Sequence, residues 1–288
     1  MGHKDDRQVD WRRTFVRPTE GSAMYLVGIR RREDAVCEGG FPWSLPLFAQ
    51  LEELEFRTPV TFLVGENGSG KSTLLEGLAA GMDAPSAGSS DLADDPTLAA
   101  ARAFARAFYF ARRRRPKQKL FLRAEDVFGY IRRLGSEMAE LAAFEEELRD
   151  ELPEGSWWQA RAMGVPGGER RALEARYGAN PDARSHGEGF LHLLKERLTP
   201  GGLYFLDEPE TPLSPARVLA LLSLLIERVN DQCQFVIATH SPLLMALPGA
   251  EIWLFEDGHI RTVPFDEVEH VRLTRAFLAD PQRFLRHL

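Results

Sequence analysis

The residues with the clearest chemical content are Gly65-Glu66-Asn67-Gly68-Ser69-Gly70-Lys71-Ser72, followed by Thr73. Glycines spaced this way let the backbone wrap a phosphate closely, with amides pointing inward and no Cβ in the way. Lys71 then reaches the β- and γ-phosphates of a nucleoside triphosphate, here read as ATP, and the Ser72 hydroxyl holds Mg²⁺. Further along, Asp207-Glu208-Pro209 supplies a carboxylate for the metal and, next to it, one that polarises a water for in-line attack on the γ-phosphate. His240 is the third element. A lone histidine is more often structural, and His3, His192, His259, His270 and His287 are read that way. His240 differs because it ends a strand on the edge where ligands bind in open α/β folds.

These groups need a scaffold. Val60 to Val64 is a β-branched and aromatic run read as a buried strand, and it empties into the glycine loop. The stretch Lys71 to Ala80, with Leu74, Leu75 and Leu78 on one face, reads as a helix whose positive amino end adds to the anion site. Leu203 to Leu206 and Gln234 to Ala238 read as buried strands delivering Asp207 and His240. Ser214-Pro215 opens a leucine-rich helix to about Val229.

The chain has 288 residues, 44% of them hydrophobic, enough for a substantial core. Its net charge of −7 excludes a globally basic nucleic-acid binder, so such contact needs a local patch. Cys37 and Cys233 lie without metal-ligand spacing and imply reduced thiols in a reducing compartment. The polar amino terminus lacks an apolar core, and no stretch reaches the roughly 18 apolar residues of a membrane helix. A cytoplasmic protein with no membrane partner is therefore expected.

In chain order, Met24 to Ile29 and Leu54 to Phe56 read as strands. The loop between them carries Phe41 and Trp43, read as a hydrophobic plug or as an adenine stack. Gly81 to Asp95 reads as a flexible surface loop. Helical spacing is read from Thr97 to Arg113 and from Phe128 to Leu152, and an irregular helical insertion from Pro153 to Asp182. The run Arg112 to Lys119 is either a nucleic-acid backbone contact or a solvated helix end.

The order of the phosphate loop, the insertion, Ser185-His186-Gly187-Glu188-Gly189, Asp207-Glu208-Pro209 and His240 resembles an ABC-type ATPase head. The form Asp207-Glu208-Pro209-Glu210 resembles the RecF and SMC-like branch, and most of all compact stand-alone bacterial ATPases of AAA type. Arg184 stands where the family's signature usually has leucine, and His186 where it has the first glycine. The resemblance implies a P-loop α/β fold, with a mixed, mainly parallel sheet, an amino-terminal antiparallel edge and a helical lobe over 85–184. It implies an ATPase that forms a homodimer around two ATP-Mg²⁺, with Ser185, Gly187 and Glu188 contacting the other copy's nucleotide and His240 sensing the γ-phosphate. Either Gln118 or Glu125 would take the family's glutamine-loop role at the metal. Two functions follow from it: action on nucleic acid in DNA repair or antiviral defence, or a nucleotide-gated switch on a separate effector such as a nuclease or toxin. A transporter subunit fits less well, because Ser214 replaces the aspartate usual there.

Overall fold

The strand Val60–Gly65 (β3) is buried at every residue, and its side chains alternate between two apolar layers. Phe62 and Val64 face one layer; Leu63 faces the other. That is the pattern of a strand covered on both faces, and burying each such side chain contributes roughly 1.5–3 kcal/mol. The computed structural model describes residues 24–35, 37, 39–86, 99–151, 157, 161, 164, 167–168, 170–173 and 186–286.

Around β3 stand Gln118–Arg123 (β5), Gly202–Asp207 (β6), Gln234–Ala238 (β7), Glu251–Glu256 (β8) and His259–Thr262 (β9), in the order β5-β6-β7-β3-β8-β9. All neighbouring pairs are parallel except β8 with β9. A second, antiparallel sheet joins Glu53–Glu55 (β2), Leu26–Arg31 (β1) and Phe108–Arg112 (β4) in the order β2-β1-β4. The mixed, mainly parallel sheet with an amino-terminal antiparallel edge is therefore as the sequence implied. Gln234 stitches the two sheets: its Oε1 accepts from the Tyr25 and Leu26 amides at 2.7 and 3.0 Å, and its Nε2 donates to the Leu26 carbonyl at 2.8 Å.

One apolar layer is filled by His186–Arg197 (α5), Pro215–Asn230 (α6), Pro242–Met245 (α7) and Glu269–Ala279 (α8), through Phe190, Leu194, Leu221, Leu225, Leu244 and Val271. The other is filled by Pro46–Gln50 (α1), Lys71–Gly81 (α2), Ala99–Ala107 (α3) and the antiparallel sheet, through Phe48, Leu74, Leu78, Phe104 and Phe108. Trp43 stacks on Phe104 at 6.4 Å and 11°, as a plug does, while Phe41 is 58% exposed.

Three expectations are corrected. The helix read over Thr97 to Arg113 ends at Ala107, and Phe108-Tyr-Phe-Ala-Arg is β4, paired antiparallel with β1. Phe104 and Phe108 fit a helical face by spacing, but two aromatics flanking a tyrosine are strand formers once an edge awaits them. Residues 99–123, assigned to a helical lobe beginning at 85, belong to the two sheets and their cover; the long helix Ala124–Glu151 (α4) begins only after β5. The loop from Gly81 is anchored at its start, where Met82 and Ala84 are buried and Ser86 bridges to Phe121. Residues 87–95 and most of the insertion from 153 to 182 lie outside the described residues.

Candidate functional site

Gly65 ends β3 at φ 153°, and a Cβ there would stand 2.5 Å from the Phe255 carbonyl, so β8 presses directly on the mouth of the loop. Glu66, Asn67 and Gly68 are exposed, while Gly70 and Lys71 are buried as the loop turns into α2. The Lys71 ammonium donates to the Gly65 and Glu66 carbonyls at 2.8 and 2.7 Å. Burial lowers its pKa, and Glu208 and Asp207 push it back up. The Ser69 hydroxyl oxygen is buried without a hydrogen-bond partner, an orphan that a phosphate oxygen would satisfy. Ser72 and Thr73 stand half-buried in the first turn of α2.

From β6 comes Asp207, whose Oδ1 accepts from the Ser72 hydroxyl at 3.2 Å. Burial raises its pKa to about 6, against the opposing help of Ser72 and Arg123. The pair fits Mg²⁺, a hard cation that takes a hydroxyl, one carboxylate and phosphate oxygens. Among the described residues no cluster of three or more His, Cys, Asp or Glu forms a metal cage. Asp207 belongs to a carboxylate whose folded pKa lies above the unfolded value of about 3.9. Its folding contribution is therefore favourable at low pH and is lost as pH rises through 6. The metal-free Asp207→Asn protein is thus expected to melt several degrees higher at neutral pH, about 1–2 kcal/mol, with the gain shrinking towards pH 5. The same variant loses Mg²⁺-dependent turnover. Thermal melts across pH, with and without Mg²⁺, check both.

Glu208 follows in a left-handed conformation, φ 47°, which is strained for a non-glycine residue. Its Oε2 accepts from the Thr211 hydroxyl at 3.3 Å, and its Oε1 lies 3.6 Å from His240 Nε2, too far for a hydrogen bond. Burial, then Lys71, lowers the His240 pKa, so the ring is neutral at neutral pH. His240 Nε2 is buried and unpartnered, aimed into the same space as Glu208. The ring of His270, from α8, meets His240 edge-on at 5.5 Å, so His270 has a place beside the site that its structural reading did not give it.

Glu210 was missed as a site residue. Its Oε1 gathers the Thr239 hydroxyl at 2.6 Å and the amides of His240 and Ser241 at 2.8 and 3.1 Å, fixing the turn that carries His240. The Glu that follows Asp-Glu-Pro is a signal, but only the parallel pairing of β6 with β7 brings it to that turn. Glu210→Ala leaves those donors unpaired in a buried place. An expected loss of about 2–4 kcal/mol in urea unfolding follows, with Glu210→Gln losing less because it keeps an acceptor. Arg123 and Glu76 also escaped the sequence reading; they form an ion pair beside Asp207 that spans β5 and α2.

Of the two glutamine-loop candidates, Gln118 is ruled out by position. It pairs with Gly202 at the amino end of β5, about 17 Å along the strand from the Arg123–Asp207 end, and accepts from Thr199. Glu125 stands exposed in the first turn of α4, two residues past Arg123, which pairs with Asp207 at the carboxyl end of β5. Ser185 lies outside the described residues. Gly187 is buried at the start of α5, where a Cβ would meet the Pro212 carbonyl at 2.7 Å; Glu188 is exposed and pairs with Arg217 at 3.8 Å.

A phosphate loop, an aspartate bonded to its serine with a neighbouring glutamate, and a histidine gather at the carboxyl ends of three adjacent parallel strands, the place where open α/β folds bind ligands and the arrangement of a P-loop nucleotide-binding domain. The family profile described as "AAA domain, putative AbiEii toxin, Type IV TA system" matches residues 97–246, and one described as "AAA domain" matches residues 46–146. The chain belongs to this AAA-domain family. Among curated proteins none matches significantly. Similar solved structures include an inward-facing metal-chelate type ABC transporter, with 17% identity, TM-score 0.43, and 88% of this chain and 89% of that one covered. The ATP binding subunit of an ABC transporter shows 19% identity, TM-score 0.41, and coverage of 88% and 98%. The SMC head domain from Thermotoga maritima shows 15% identity, TM-score 0.38, and coverage of 84% and 99%. No helix among the described residues is long and apolar enough to cross a membrane.

Proposed function

We propose that the chain binds ATP with Mg²⁺, hydrolyses it, and closes as a homodimer around two nucleotides when both are bound. The observation that carries this reading is the meeting of Lys71, Ser72, Asp207, Glu208 and His240 on one sheet edge. Lys71 and the loop amides hold the triphosphate, Ser72 and Asp207 hold the metal with Glu125 nearby, Glu208 takes the proton of the attacking water, and neutral His240 donates to the γ-phosphate. Bound Mg²⁺ would neutralise developing charge between the β- and γ-phosphates. The amino end of α5, with Ser185, Gly187 and Glu188, would complete the other copy's site, an isologous arrangement. Light scattering on the Glu208→Gln protein tests it: mass doubles on adding ATP and Mg²⁺, and a mass that stays at one chain removes the dimer.

The work that closure drives is action on DNA, in repair or defence against foreign DNA, supported by the basic run at Arg112 to Lys119. Turnover that rises with added DNA at low salt and falls with added salt is the expected result. A second reading, a nucleotide-gated switch on a separate effector such as a nuclease or toxin, stands beside it, the matching family's description containing the word toxin. A partner that co-purifies in fixed ratio, with turnover indifferent to DNA, would select it.

A further inference from the structure

The basic run does not sit where its sequence neighbours suggested. Arg112 ends β4 rather than a helix, and Arg113 to Lys117 form the connection to β5 at the amino end of the parallel strands, opposite the phosphate loop. Arg112 and Lys119 turn inward: they donate to the Gly81 carbonyl at 2.5 Å and the Met82 carbonyl at 2.7 Å, at the negative carboxyl end of α2, and flank Asp83 at 3.6 and 3.9 Å. Gly81 lets the Phe110 ring pack against the same end of α2, since a Cβ there would stand 1.9 Å from that ring. Arg113, Arg114 and Arg115 are exposed, and among the described residues no carboxylate pairs with them.

Those arginines, with Met82, Pro116 and Lys119, line a cavity of about 560 Å³. Arg112 also lines a neighbouring concavity of about 360 Å³, whose wall includes Arg32, Tyr109 and Phe110, with the Arg32 guanidinium 4.2 Å above the Tyr109 ring. The two share Arg112 and are together called the trough. Among the described residues of the lining there is no carboxamide or carboxylate to read a base or a sugar. The unpaired guanidinium groups of three consecutive residues around such a cavity suit a repeating phosphate chain better than a single small anion.

We infer that this trough, on the face opposite the ATP site, binds the phosphate backbone of a nucleic acid without regard to sequence. The inference rests on the proposed action on DNA and gives it a location. It also places the nucleic acid at one end of α2 and the triphosphate at the other, about 16 Å apart along an 11-residue helix.

The test is fluorescence anisotropy, without ATP, of a labelled single strand of about 16 nucleotides and of the matching duplex. The variant carries Arg113→Gln, Arg114→Gln and Arg115→Gln together. At about 50 mM salt its affinity should fall tenfold or more, and the slope of log K against log salt should become shallower by about 2. Arg114→Gln alone should give about a third of that change and guards against misfolding of the triple variant. Basal ATP turnover stays at the wild-type level. Wild-type binding that the triple variant reproduces with the same slope overturns the trough and leaves action on DNA standing. A wild-type protein that binds neither probe at low salt overturns both, while basal turnover still reports on the ATPase. Displacement of the DNA by an equal concentration of polyglutamate overturns recognition of nucleic acid.

Discussion

Glu208→Gln is expected to bind ATP and Mg²⁺ at near wild-type affinity, hydrolyse it about 10²–10⁴-fold more slowly, and accumulate as an ATP-bound dimer. Glutamine keeps the shape of the side chain and an oxygen to accept from the Thr211 hydroxyl, which lies 3.3 Å from Oε2. What it loses is basicity. Neither neighbouring carboxylate replaces it: Asp207 is buried and bonded to Ser72, and Glu210 is held by Thr239, His240 and Ser241. The strained backbone at φ 47° belongs to the same argument, because it aims the carboxylate away from the strand and into the space before His240. Glutamine meets the same backbone strain, so the change isolates the chemistry. Single-turnover phosphate release separates it from binding; release within a few fold of wild type would reassign the base.

The parts of this site that could be read in the sequence are those whose geometry is local. A glycine loop between a strand and a helix builds an anion site from consecutive residues, and Asp207-Glu208 and His240 each end an apolar run that can only be a buried strand. What escaped reading depends on contacts distant in sequence. Glu210 looks like any turn glutamate until β6 and β7 are side by side. His270 is one of several histidines until α8 folds back on His240. Gln118 was a plausible metal-side residue until the strand direction put it at the wrong end of β5. β4 was misread for a different reason: Phe104, Phe108 and Ala111 satisfy helical spacing, and the decision belongs to β1, whose free edge lies about 80 residues earlier in the chain.

Lys71→Ala is the other large effect, and it should fall on binding rather than on the chemical step. Lys71 is 5% exposed and its ammonium donates to the Gly65 and Glu66 carbonyls; burial lowers its pKa, and Glu208 and Asp207 raise it. Alanine removes the cation from a place that keeps two carboxylates, so a triphosphate would enter against uncompensated negative charge. Two charge-assisted hydrogen bonds to phosphate at about 1.5–3 kcal/mol each set the scale, a loss of roughly a hundredfold or more in ATP affinity. Lys71→Met keeps the apolar stem that the loop packs around and removes only the charge; it should lose comparable affinity while melting closer to wild type. Lys71→Arg should not rescue, because a planar guanidinium is wider than the gap between carbonyls at 2.8 and 2.7 Å was built for. Calorimetric titration with a non-hydrolysable ATP analogue and Mg²⁺ reads the affinity directly. Affinity within threefold of wild type in both Lys71→Ala and Lys71→Met would mean that the loop does not hold the triphosphate by its lysine, and the trapped dimer expected of Glu208→Gln would need another origin.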